Sequence, residues 1–179
     1  MHRQAITQLL SDYGTRYPEE ANTTTRYQQF VAQHEDCFER SQLAGHVTGS
    51  AWLVNRAGTH VLLTHHRKLN IWVQLGGHAD GESDPLNVAL REAREESGIA
   101  DITAVTDALF DIDIHRIPQR KSEPAHYHYD ARFLLQTTGS DSYSVSDESH
   151  ALEWVDISKI ENKTSEASML RMAHKYLSR

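Results

Sequence analysis

Apolar residues recur at helical spacing at the start of the chain, where Ile6, Leu9, Leu10 and Tyr13 predict a first helix over 4–14. Pro18 sits near the start of a second segment in which Tyr27, Phe30, Val31 and His34 keep the same period, so a second helix is expected to end near Asp36 and Cys37. From Gly45 the pattern changes. The runs 46–54 and 60–64 are β-rich and flank Asn55-Arg56-Ala57-Gly58, which predicts a β-hairpin. After a strand at 72–75, residues 76–83 carry three glycines and read as a loop. Asp84 and Pro85 then supply an N-cap with proline in the first turn, and Gly98 supplies a stop, for a central helix. Further strands are expected at 102–115, 126–136 and 151–156. A last amphipathic helix from Ala167 to Leu177 carries Leu170, Met172 and Tyr176. No repeat or long linker breaks this order, so the reading is one α+β domain over 45–179 with an N-terminal helical extension over 1–44.

Composition narrows the partners. A chain of 179 residues with net charge −7 disfavours long nucleic acid and anionic membrane, leaving small anionic substrates that a cation bridges. The 12 histidines make charge pH-sensitive, since protonating all of them would move it from −7 to +5. Cys37 is the one cysteine, which excludes an intrachain disulfide and a thiolate cluster. With no apolar signal core after Met1 and no apolar run long enough to span a bilayer, a cytoplasmic protein is expected.

The central helix carries the strongest chemical signal. At 100° per residue, Leu86, Ala89, Leu90, Ala93 and Ser97 fall within a sector of about 100° that faces the core. Glu92, Glu95 and Glu96 share one sector beside that stripe, where like charges repel and solvation is reduced. Oxygen ligands converging this way suit Mg²⁺ or Mn²⁺. On spacing alone, a solvated face with Arg91 paired to Glu95 explains the same residues, and the preceding glycines, which offer a carbonyl and room for phosphate, favour the metal. Gly77 followed by Arg91-Glu92-Ala93-Arg94-Glu95-Glu96-Ser97-Gly98-Ile99 resembles the Nudix box, G-x5-E-x7-R-E-U-x-E-E-x-G-U, of MutT-like hydrolases. Two departures stand out: Ala93 is small for an apolar position, and Ser83 replaces the glutamate that braces the loop in that family, with Glu82 and Asp84 on either side.

The resemblance implies an α/β/α sandwich with a mixed sheet, with Glu92, Glu95, Glu96 and the Gly77 carbonyl around a divalent metal and Arg91 orienting the carboxylates. It implies hydrolysis of a diphosphate linkage in a nucleoside diphosphate joined to another group, with Glu95, Glu96 or Glu148 as general base. It also admits a diphosphate-ester isomerase, which would need a cysteine in the pocket, and a sensor module without catalysis. Extensions like 1–44 serve dimerisation or substrate selection in such proteins, so a homodimer is open.

Other residues carry weaker signals. His126, His128, Asp130 and Arg132 alternate along one strand face and are candidate phosphate contacts, as is His78 on the glycine segment; a polar outer face explains the row equally well. A zinc site from His126 and His128 lacks a third ligand identifiable from sequence. The basic residues Arg116, Arg120 and Lys121, and the run His65-His66-Arg67-Lys68, read as solvated loops or as diphosphate grips. Trp52 and Trp72 are expected in the core.

Overall fold

The computed structural model describes residues 2–67, 70–119, 124–146 and 149–179. Helix α1 (Gln4–Arg16) leads through a 3-10 turn at Pro18–Glu20 into α2 (Ala21–Gln33), which ends three residues earlier than its apolar period suggested. The extended His34 caps it and turns the chain toward Cys37, whose carbonyl accepts the Val47 amide.

Eight strands follow: β1 (Gly45–Val54), β2 (His60–His66), β3 (Trp72–Val73), β4 (Leu75–His78), β5 (Ile102–Ala104), β6 (Asp111–Ile117), β7 (His126–Thr137) and β8 (Ser149–Asp156). Helix α3 (Pro85–Ser97) joins β4 to β5, and α4 (Ala167–Leu177) closes the chain. Strand β1 is central and buried along its whole length. It runs parallel to β7 from Gly45↔Tyr127 to Val54↔Gln136, while its other edge takes β4 from Thr48 to Ala51. The expected hairpin holds at its turn, but β1 and β2 share only the Val54↔Val61 pair. Beyond it β2 leaves to pair with β8 and β3. The sheet is therefore mixed, with helices on both faces.

Residues Gly76 to His78, expected in a loop, are the body of β4. Their glycines permit contact on both faces: a Cβ at Gly76 would collide with Ser50, and one at Gly77 with the Glu92 carboxylate. One face of β1 presents Val47, Gly49, Ala51 and Leu53 to α1, α2 and α3. Gly49 lies so close to α3 that a Cβ would stand 2.7 Å from the Pro85 carbonyl oxygen. The opposite face holds His46, Thr48 and Ser50 and then Trp52 and Val54, which pack with Phe110, Leu134, Met169 and Met172. Trp52 is fully buried as expected, and Trp72 packs partly buried at the edge of that cluster. In α4 the buried side is Met169, Met172 and Ala173, so Leu170 points outward.

Candidate active site

Local sequence fixes α3 in position. The Asp84 carboxylate accepts the Leu86 amide at 3.0 Å, Pro85 occupies the first turn, and Gly98 closes the helix in the left-handed region at φ 69°. Ala89, Ala93 and Ser97 then face β1 and β4, and these short side chains let the sheet come close. The small Ala93 of the box is part of that fit.

Three consecutive residues of β4 are tied to the box helix. The Gly76 amide donates to Glu96 Oε1 at 2.7 Å, and Gly77 abuts the Glu92 carboxylate. Arg91 Nη2 donates to the His78 carbonyl at 2.7 Å and to Glu92 Oε1 at 2.9 Å. Glu96 is buried, Glu92 is half-buried and Glu95 is exposed. Arg91 thus braces the loop through the His78 carbonyl itself, and the neighbours of Ser83 turn inward, with Glu82 Oε1 accepting the Asp84 amide at 2.9 Å. Glu148, Arg120, Lys121 and Lys68 lie outside the described residues.

The β7 row divides in two. His126 and His128 stand with His46, His78 and His115 at one end of the sheet face opposite α3, with neighbouring ring centroids 4.9–5.3 Å apart. Asp130 and Arg132, expected at a substrate surface, are instead 1% and 2% exposed and locked in a polar ladder. Asp130 accepts from Thr48 Oγ1, Ser50 Oγ and Arg132 Nε at 2.7–2.8 Å, and Arg132 also reaches Asp111. The parallel register explains this correction: pairing Thr48 with Asp130 and Ser50 with Arg132 turns the strand's polar face against another strand's hydroxyls, which supply the hydrogen bonds a buried ion pair requires.

Sequence reading missed His46. Its ring is 3% exposed, and neither ring nitrogen makes a hydrogen bond of normal geometry. An orphaned buried polar group costs about 1–3 kcal/mol, which makes this ring an anomaly for a purely structural residue. Its alternation with Thr48 and Ser50 was the available signal. Burial lowers the pKa of His46 and of His78 to about 4, with neighbouring positive charge adding to the effect. Burial and the surrounding imidazoles take His128 to about 2. Cys37 is fully buried and burial raises its thiol to about 11, so it is neither exposed to substrate nor present as the nucleophilic thiolate at neutral pH.

A glycine cradle filled by a half-buried carboxylate, with a buried carboxylate beside it, is an all-oxygen donor set that fits Mg²⁺ or Mn²⁺. Among the described residues, however, the His, Cys, Asp or Glu group whose ligand atoms all lie within 4.8 Å is His46, His78 and His128. Hydrogen bonds direct Glu96 to Gly76 and Glu92 to Arg91.

Similar folds occur in a C. elegans Ap4A hydrolase binary complex (18% identity, TM-score 0.57, 74% of this chain and 95% of that one) and in the E. coli dihydroneopterin triphosphate pyrophosphohydrolase (14%, 0.59, 74% and 96%). A NUDIX family hydrolase from Clostridium perfringens is 24% identical with TM-score 0.55, covering 74% of this chain and 97% of its own. No curated protein matches the chain. The NUDIX domain family matches residues 45–176, which carry the whole carboxylate helix and its glycine strand, and the chain therefore belongs to the NUDIX family of hydrolases.

Proposed function

We propose that the protein hydrolyses a diphosphate linkage in a nucleoside diphosphate joined to another group, with Glu92, Glu96 and the Gly77 carbonyl holding Mg²⁺ or Mn²⁺. The observation that carries this reading is the triple tie of β4 to α3 through Glu96, Glu92 and Arg91. Such an ion supplies, when bound, neutralisation of phosphate charge and acidification of water.

The chain's own residues do the rest. Arg91 fixes Glu92 and the His78 carbonyl together, so the carboxylate and the backbone acceptors of β4 are oriented before substrate arrives. Glu96 is held by the Gly76 amide. Glu95, exposed beside them, is the acceptor for the proton of the attacking water. Water oxygen bonds to one phosphorus, the bond from that phosphorus to the bridging oxygen breaks, and the second phosphate leaves with the electron pair.

Release of nucleoside monophosphate is the test, measured with and without Mg²⁺ or Mn²⁺ on nucleoside diphosphate sugars, dinucleotides including Ap4A and nucleoside triphosphates, with pyrophosphate release followed for dihydroneopterin triphosphate. Metal-dependent turnover is expected, lost in Glu96→Gln and lowered about 10²–10⁴-fold in Glu95→Gln. Wild-type turnover in Glu96→Gln would overturn the reading. A loss in Glu148→Gln, with Glu95→Gln active, would transfer the base to Glu148.

A further inference from the structure

We propose that His46, His78 and His128 form a second metal site, separate from the α3 carboxylates, that binds a zinc-class transition-metal ion. One ring nitrogen from each residue lies within 4.8 Å of those of the other two. The ligands come from three neighbouring strands. The ladder pairs His46 directly with His128 and Thr48 with His78, so backbone hydrogen bonds hold the three rings in place.

The unpartnered state of His46 is the second, independent observation. Both its nitrogens are buried with no hydrogen bond of normal geometry, the Gln42 backbone being the polar group in reach, and three other imidazoles, His78, His126 and His128, pack around the ring. A cation accepted by several ring nitrogens at once resolves that anomaly where one more hydrogen bond would serve only a single ring. The donor set is all nitrogen, which selects zinc, cobalt, nickel or copper over the magnesium or manganese that suit oxygen ligands. Three imidazoles leave a fourth position open, and His126 borders it, with its Nε2 3.4 Å from that of His128. The Pro124 carbonyl, 2.9 Å from His126 Nδ1, accepts that nitrogen's proton and so leaves Nε2 as the lone-pair nitrogen.

The two sites share a strand and face opposite ways. Gly77 meets Glu92 on the α3 side, whereas the His78 ring meets His46 at a tilt and His128 edge-on on the other. Their metal requirements can therefore be separated by mutation. Full-length protein stripped with chelator is titrated with Zn²⁺ alone and then Co²⁺ alone, and bound metal is counted after gel filtration. One tightly held Zn²⁺ per chain is expected, with a Co²⁺ complex whose visible absorption is that of nitrogen ligands in low coordination.

Changing a residue that only orients a ligand weakens metal binding about 10–100-fold, so removing a ligand in His46→Ala or His128→Gln should weaken it on the order of 100-fold or more. The Glu92→Gln/Glu96→Gln double variant should keep its zinc. The proposal is overturned if stripped wild-type protein takes up no Zn²⁺, if both histidine variants keep it, or if the glutamate variant loses it. Should His46→Ala fail to fold, the half-buried His128→Gln and the wild-type Co²⁺ spectrum still decide.

Discussion

Asp111 is fully buried, yet three cations converge on it: Arg132 at 3.1 Å and Arg171 and Lys175 each at 2.7 Å. Burial alone would push its carboxyl up, but the Arg171 hydrogen bond and the charges of Arg132 and Lys175 hold it below the usual carboxylate range. Removing one partner of a buried ion pair costs about 3–5 kcal/mol because the other charges stay behind, so Asp111→Asn is expected to lower stability by that order at neutral pH. The sign of the pH dependence follows. A depressed folded pKa gives stability that is complete above the unfolded carboxyl value of about 3.9 and is lost as pH falls toward the folded one. Denaturant melts of wild type and Asp111→Asn should differ by a constant amount above about pH 4, and the gap should narrow below it. A gap already closing at pH 6 would show that Asp111 is not the titrating group.

The packing of β1 and β4 against α3 separates function from stability at two paired glycines, Gly49 and Gly77. A methyl group at Gly77 meets the carboxylate of the Glu92 side chain, which can move aside at the cost of its Arg91 hydrogen bond, whereas one at Gly49 meets the Pro85 backbone and the Val88 side chain. Gly77→Ala should therefore melt near the wild-type temperature with turnover reduced about 100-fold or more by a displaced carboxylate, the size expected of small misplacements in a site. Gly49→Ala should cost about 1–3 kcal/mol of stability through overpacking. Equal losses of stability in both would refute the distinction. Sequence made α3 legible because its signals are local: Asp84, Pro85 and Gly98 each act within one turn. It made β4 illegible for the opposite reason, since glycines that read as loop residues are required there by neighbours on both faces. The histidine cluster depends on β1 and β7 being parallel in one register, and nothing within either strand states that register.

At the scale of the whole molecule, the N-terminal helices are not an appendage. Their apolar faces are buried within the chain: Ile6, Leu10, Tyr13, Tyr27, Phe30 and Val31 lie in the same core as Val47, Ala51, Ala131 and Phe133. Phe30 stacks on Tyr129 with centroids 3.8 Å apart, and the Tyr27 hydroxyl donates to the Tyr129 carbonyl at 2.7 Å. Arg16 donates to the Leu109 carbonyl at 3.0 Å, and Tyr13 and Glu20 both meet Lys175 of the last helix. Six large side chains each contribute about 1.5–3 kcal/mol on burial before the entropy of ordering them is deducted, a large share of the interactions behind the 5–15 kcal/mol net stability of a folded domain. The family match begins at residue 45, where a sequence-based boundary also falls, but the core runs across that boundary. A fragment spanning 45–179 is expected to aggregate on expression or to lose cooperative unfolding, because removing α1 and α2 uncovers Tyr129 and the neighbours that Tyr27 and Phe30 pack against. Mixing it with a separately made 1–44 peptide should restore part of the cooperative transition. A fragment that melts on its own within a few degrees of the full chain would instead make the extension a true separate unit, free to act in partner or substrate selection.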